Sequence, residues 1–506
     1  MTTMKRNVLS YVLVLLIFGA AIWFMLEAGT RLNREGPAVE QQTDPASLSS
    51  FSAGARSATT TDKPDTRQSY FGRFLRENLR NDLSTLLLQI IVIITTARLL
   101  GALLARIGQP AVIGEMIAGI VLGPSFLGVL SPGLMTFLFP AGSMATLKVL
   151  SEFGVIVFMF VVGMDVNSQQ LREKAHAAIM VSHVSIIVPF SFGVALSLFI
   201  YRSLGSASTS FTAFALFMGV AMSITAFPVL ARIVEERGMS KSYIGNTAIA
   251  CAAVDDVTAW CLLALVVATV KADGIEKSMP TIFLTLVFIA TMTFLVKPRL
   301  GRFVKKDIEG ESGTQGLLAS VLAFMLGCSW LTQIIGIHAL FGAFLAGAVM
   351  PSLTNVRSFL RAKLEAFSSA ALLPLFFAFT GLRTQVNLLD NWLSWLLCLG
   401  IIAVAIAGKL GGSMLMARWT GMSWRDSYSI GVLMNTRGLM ELVVLNIGYE
   451  LGILPARIFS IMVLMALFTT SMAGPLLSWA KAMDQQDQQE SLLIHDPGSV
   501  AKLSNR

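Results

Sequence analysis

The chain has 506 residues, 55% of them apolar and 13% charged, with a net charge of +8. A soluble globular domain carries about 25% charged residues, so this composition excludes a large water-soluble helical protein. The Lys and Arg gather in short loops between apolar blocks, which reads as membrane topology and not as a nucleic-acid surface.

The apolar blocks run about 20 residues, the length that crosses a ~30 Å hydrocarbon core as helices. Residues 8–28 form the first, behind Lys5 and Arg6. No A-x-A site follows, so 1–28 reads as an N-terminal membrane anchor or a signal peptide. Residues 29–82 are rich in Ser, Thr, Ala and Gly without helical periodicity, and predict a disordered extramembrane linker. Residues 83–480 predict a transmembrane domain of thirteen helices. The expected spans are 84–106, 110–128, 147–165, 177–201, 210–232, 244–270, 280–297, 315–334, 337–351, 366–384, 391–415, 427–449 and 455–479. Residues 481–506 are a short polar cytoplasmic tail, too short for a folded regulatory domain.

Loop charge tests the count. With the N-terminus inside, cytoplasmic loops carry Arg106, Arg172, Lys174, Arg232, Arg237, Lys241, the Lys297–Lys306 cluster, Arg357, Arg361, Lys363, Arg418 and Arg425. The opposite loops carry Arg202, Lys271, Lys277 and Arg383. This asymmetry fits the positive-inside pattern.

The sequence also repeats. GQPAVIGEMIAGIVLGPS (108–125) resembles GIHALFGAFLAGAVMPS (336–352), and FGVIVFMFVVGMDVNSQQL (153–171) resembles SAALLPLFFAFTGLRTQVNLL (369–389). The first copy begins outside and the second inside, with the span at 280–297 accounting for the flip. The expectation is an all-α polytopic membrane protein of two inverted six-helix repeats, the layout of many secondary transporters.

Three features carry chemistry. Asp255 and Asp256 sit in the middle of the apolar run AIACAAVDDVTAWCLLALVV. A charge at bilayer centre costs at least ~2.5–3.5 kcal/mol, so the pair must face a cavity or a partner. Two adjacent carboxylates cannot both ionise freely, and they offer oxygen ligands to a proton or a hard monovalent cation. A buried pair tied to a basic residue, without transport, is the alternative. Lys409, in IIAVAIAGKLGGSMLMAR, is the second feature. It either snorkels to the cytoplasmic face or pairs with one of the aspartates, and in the latter place it is able to exchange a proton itself. The glycines beside it allow close helix approach.

The third feature is a polar interruption in each repeat. The first carries Ser223, Thr225 and Pro228; the second carries Asn435, Thr436, Arg437, Gly438 and Glu441. Pro removes a helix hydrogen bond and Gly loosens the backbone, so each helix is expected to break there and free carbonyls for a cation. An ordinary kink at Pro228 and an Arg437–Glu441 pair along one helix face are the plainer readings. Glu115, Glu152 and Asp165 lie near span ends and read as structural or interfacial. Cys251, Cys261, Cys328 and Cys398 read as small core residues. No nucleotide-binding or zinc-hydrolase motif occurs, so the chain reads as a non-enzyme with no cofactor and no metal beyond a transported cation.

PAVIGEMIAGIVLGPSFLG, ITAFPVLARI, AAVDDVTAW and NTRGLMELVVLNIG together resemble the monovalent cation:proton antiporter family, and within it the bacterial members near the plant cation/proton exchangers. The resemblance covers about 85–480. It implies a core domain with two broken helices crossing near the midplane, a dimerisation domain, a homodimer and elevator-like alternating access. It also implies Asp256 as the principal ion and proton site and Asp255 as the partner of Lys409, with Thr225 and the Asn435–Arg437 segment on the crossing helices. The double aspartate resembles the electrogenic sodium branch and the flanking motifs the potassium-leaning branch. The expected activity is secondary antiport of Na⁺ or K⁺ against H⁺ in a bacterial inner membrane, with lipid and a second copy as partners. A cation channel and a non-transporting membrane sensor are the rival functions.

Overall fold

The structure is a computed structural model that describes residues 2–34, 81–165, 175–206, 209–240, 242–271, 275–302, 313–351 and 354–495. Among these residues it is built from helices alone. We number the main ones in chain order. They are α1 (Thr2–Arg34), α2 (Asp82–Ala105), α3 (Ala111–Leu122), α4 (Met144–Asp165), α5 (Ala175–Leu204), α6 (Phe211–Ser223), α7 (Phe227–Glu236), α8 (Tyr243–Lys271) and α9 (Ile275–Ala290). Then come α10 (Gly313–Ile335), α11 (Ala339–Ala348), α12 (Thr354–Phe367), α13 (Leu373–Arg383), α14 (Trp392–Ile406), α15 (Gly412–Trp419), α16 (Trp424–Met434), α17 (Leu439–Glu450) and α18 (Ala456–His495).

Among the described residues twelve stretches are long and apolar enough to cross a membrane, and the bent pair α16–α17 makes a thirteenth. One of these is the N-terminal α1. The expected span at 337–351 is different: α11 is a helix of ten residues. At 1.5 Å per residue it covers only about half the hydrocarbon core. Its apolar sequence continues, but the backbone turns at Gly336 (φ +101°) before it and stops at Pro351 after it.

One further boundary is corrected. Residues 29–34, expected as the start of the linker, prolong α1. Gly29 lets this end lie against the Phe211 ring, where any Cβ would overlap it, and Tyr11 near the other end hydrogen-bonds His183 of α5. The remaining linker expectation, 35–80, lies outside the described residues. The segment expected as a polar tail continues α18 in helical form to His495.

The repeat is visible in the packing. α3 packs on α13, and α11 packs on α4, so each element of one repeat meets the non-equivalent element of the other. Both crossings are closed by glycines at matching places. A Cβ on Gly119 would lie 2.6 Å from the Ala378 carbonyl, and one on Gly381 would lie 2.4 Å from Gly119. Equivalently, a Cβ on Gly347 would lie 2.0 Å from the Phe160 carbonyl, and one on Gly163 would lie 2.1 Å from that of Phe344. Side chains cannot fit at either crossing, so the backbones touch.

Burial follows position in this arrangement. α6, α16 and α17 are buried nearly all round. α2 and α9 present rows of Leu, Ile and Phe outward, among them Leu83, Leu87, Ile91, Phe283 and Leu286. Such faces are stable against lipid tails or a second apolar surface and not against water.

Candidate functional site

Two helix interruptions meet at the centre of the bundle. α6 ends at Ser223 and α7 begins at Phe227; α16 ends at Met434 and α17 begins at Leu439. The non-helical segments between them bond to one another through Ala226 N–H to the Thr436 carbonyl at 3.0 Å. The Thr225 hydroxyl, which donates to Asp255 Oδ2 at 2.7 Å, also lies 3.0 Å from the Met434 carbonyl. Pro228 does not kink a helix interior; it occupies the first turn of α7, where its missing N–H costs nothing. Gly438 packs so closely on α7 that a Cβ there would come within 2.8 Å of Val229.

A broken helix inside a membrane must find partners for its last four carbonyls. At the end of α6 all four are taken. Val220 accepts from the Ser223 hydroxyl at 2.8 Å. Ala221 and Met222 accept from Arg437 Nη1 and Nη2 at 3.0 and 2.8 Å. Ser223 accepts from Lys409 Nζ at 2.5 Å. Two cationic side chains therefore sit on the negative end of one half-helix dipole. On the other break, Thr470 Oγ1 accepts from Arg437 N–H at 2.9 Å and donates to the Arg437 carbonyl at 2.7 Å.

Asp255 faces this crossing from α8 and is fully buried. Oδ1 accepts from Ser182 at 2.5 Å and, more weakly, from Ser185 at 3.1 Å; Oδ2 accepts from Ser185 at 2.8 Å and from Thr225 at 2.7 Å. Lys409 Nζ lies 2.9 Å from the same Oδ2. The lysine has no exposure and does not reach the bundle edge. It stands on a π-helical turn, Ala407–Gly411, between α14 and α15. Such single turns are frequent at functional sites. Gly408 and Gly412 press this turn against Pro189 and Val188 of α5, which brings the ammonium to the serines.

Asp256, one residue on, has the opposite surroundings. It is 1% exposed; no side chain among the described residues hydrogen-bonds either carboxylate oxygen, and only the Phe227 N–H at the start of α7 addresses it. Asp255 is thus saturated with donors while Asp256 keeps most of its oxygen lone pairs. A buried carboxylate without a side-chain partner, at the start of a half-helix, can take a proton or a hard monovalent cation.

Arg437, in the break, and Glu441, in the first turn of α17, pair with Nη1 3.3 Å from Oε2, and both are buried. Asn435 keeps a buried Oδ1 without a partner, and the Thr436 hydroxyl bonds the Leu433 carbonyl at 2.8 Å. Of the weaker candidates, Glu115 is buried in α3 (7% exposed). Glu152 is partly exposed, 3.5 Å from Lys148, which also holds Glu450 at 2.9 Å. The Asp165 side chain lies outside the described residues. Cys251, Cys328 and Cys398 are buried, whereas Cys261 is exposed on α8 and is not a core residue. Among the described residues no cluster of His, Cys, Asp or Glu has the makings of a resident metal site.

Sequence reasoning overlooked Ser182, Ser185 and Pro189. The available signal was a proline four residues after a serine inside an apolar span. Pro189 has no N–H to give the Ser185 carbonyl, and that carbonyl accepts from Lys409 Nζ at 2.9 Å instead.

Residues 90–481 match the family described as sodium/hydrogen exchanger, transmembrane. The chain is similar to the Na(+)/H(+) antiporter NhaS4 of Synechocystis sp., with 45% identity over 398 residues, 78% of this chain and 97% of that protein. It is 40% identical over 408 residues to cation/H(+) antiporter 17 of Arabidopsis thaliana, 80% of this chain. There the match spans only 50% of the plant protein. Among solved structures, the sodium proton antiporter MjNhaP1 from Methanocaldococcus jannaschii has the same fold. Its TM-score is 0.57 at 15% identity, covering 79% of this chain and 97% of that one.

Proposed function

This chain belongs to the sodium/hydrogen exchanger family, and we propose that it is a secondary antiporter exchanging Na⁺ or K⁺ for H⁺ by alternating access. Asp256 carries the reading. It is a buried carboxylate without a side-chain partner, placed where two helix breaks meet. Cation and proton compete for it. Thr225 ties the crossing to Asp255 and leaves the neighbouring carboxylate uncommitted. Lys409 holds Asp255, so only one of the two aspartates is open to exchange.

The proposal extends to the setting. The protein works in a bacterial inner membrane as a homodimer, with α5–α8 and α14–α18 as the moving core and α2–α4 with α10–α13 as the dimerisation domain. The first group contains both breaks and all five charged residues around them. The second contains the two glycine crossings, which make it a tightly locked unit.

The test is a cation panel of Li⁺, Na⁺, K⁺ and Rb⁺ on everted vesicles with a proton-gradient dye. Saturable dequenching that depends on the cation, and that Asp256→Asn removes, is the expected result. Non-saturating flux that needs no counter-gradient would indicate a channel, and no flux with any cation would indicate a sensor.

A further inference from the structure

We infer that Ser185 and Pro189 are positioning residues that keep Lys409 permanently charged on Asp255, so that Asp256 alone turns over and each cycle trades one proton for one cation. The inference rests on the exchange reading above and adds its coupling.

An ammonium has three N–H groups. Lys409 Nζ has three acceptors within 2.9 Å: the Ser185 carbonyl, the Ser223 carbonyl and Asp255 Oδ2. A neutral amine has two N–H groups and a lone pair, and that lone pair would be aimed at one of these three oxygens. The pocket therefore fits the cation and opposes the amine.

Both carbonyls are available because the backbone is interrupted. Ser223 is the last residue of α6. Ser185 is freed by Pro189, the residue whose N–H would otherwise bond it. The Ser185 hydroxyl completes the arrangement from the other side, donating to Asp255 and lying 3.2 Å from Lys409 Nζ. His183, the titratable neighbour on α5, is bonded to Tyr11 of α1 and does not contact the pair.

Charge counting gives the coupling. Around the crossing, Asp255, Asp256, Glu441, Lys409 and Arg437 are all at most 1% exposed. With every group ionised there is one more carboxylate than cation. One bound monovalent cation, or one proton on Asp256, brings the buried site to neutrality. When the cation leaves, a proton forms the O–H bond at Asp256; when that proton leaves, the cation returns. No net charge crosses in a full cycle.

Reversal measurements in proteoliposomes test this with the purified full chain. For the wild type, an imposed proton gradient should be balanced by an equal cation gradient, and a membrane potential alone should drive no flux. Pro189→Ala restores an N–H that competes for the Ser185 carbonyl, and Ser185→Ala removes the hydroxyl. Each should let Lys409 release its proton as cation enters, raising the ratio above one and making flux voltage-dependent. Ser185→Thr, which keeps the hydroxyl, should stay at one. A wild-type ratio of two overturns the inference while leaving antiport intact. So does a ratio of one in both Pro189→Ala and Ser185→Ala. If those variants fail to fold, the wild-type ratio alone decides. Absence of saturable exchange by the wild type would overturn the antiport reading and this inference with it.

Discussion

The Lys409 ammonium lies 2.9 Å from Asp255 Oδ2, and neither side chain has any solvent exposure. Removing one member of such a pair leaves an uncompensated buried charge, at a cost of about 3–5 kcal/mol, whereas removing both charges costs far less. Lys409→Ala should therefore lower the thermal midpoint of the detergent-solubilised protein more than Lys409→Ala combined with Asp255→Asn. Additive losses in that double-mutant cycle would mean that the two groups are not energetically coupled.

Asp256→Asn separates the two aspartates. The amide keeps the size of the side chain but neither binds a cation by charge nor takes a proton at neutral pH. Since Asp256 has no side-chain hydrogen bond to lose and an amide oxygen can still accept from the Phe227 N–H, the variant should insert and melt close to the wild type while exchange disappears. Asp255→Asn, by contrast, disturbs contacts to Ser182, Ser185, Thr225 and Lys409 and should lower stability as well as activity. Exchange near the wild-type rate in Asp256→Asn would remove that residue from the site.

How legible the site is in sequence depends on contrast. Asp255, Asp256 and Lys409 stand out because charge inside an apolar run is expensive and rare. Ser182 and Ser185 do not, because hydroxyls are common in membrane helices, and their role exists only through contact with Lys409, 224 residues away from Ser185. The interruption near Pro228 was visible, but the proline marks the start of the second half-helix and not the break, which lies at 224–226. The ten-residue α11 read as a full span because hydropathy registers apolar length and not where the backbone turns. The two repeat pairs were legible as strings, whereas their reciprocal packing through Gly119, Gly381, Gly163 and Gly347 required coordinates.

Orientation is open to a direct test. The loop charges place the Ser240 turn on the cytoplasmic face and the Gly133 segment on the opposite face. Contacts between helix ends agree with that sorting. Arg383 meets Glu450, and Lys271 meets the Gly336 carbonyl, all on the sparsely charged side. In a background without native cysteines, Gly133→Cys and Ser240→Cys should be labelled by an impermeant maleimide from opposite sides. Ser240 is exposed, and nothing lies within 4 Å of a Cβ at Gly133, so neither change disturbs packing. Labelling from one side only would contradict the span count.

The glycine crossings give a prediction about stability that uses the repeat itself. Gly347→Ala would put a Cβ 2.0 Å from the Phe160 carbonyl, and Gly163→Ala would put one 2.1 Å from that of Phe344. Backbone stands on both sides, so no side chain can rotate away, and the two helices must separate. The repeat-related changes Gly119→Ala and Gly381→Ala meet the same obstacle at 2.6 and 2.4 Å. All four should reduce the yield of folded protein and lower its thermal midpoint. Gly327 and Gly400 lie in equally apolar helices but have nothing within 4 Å of a Cβ. Alanine there removes only the helix-propensity deficit of glycine, about 1 kcal/mol, and should leave the midpoint unchanged or raise it. Thermal shift assays on the six single variants decide the matter. If Gly327→Ala and Gly400→Ala are as damaging as the crossing variants, contact between backbones is not what makes the glycines necessary. If only one crossing is sensitive, the two repeats do not share the packing described above.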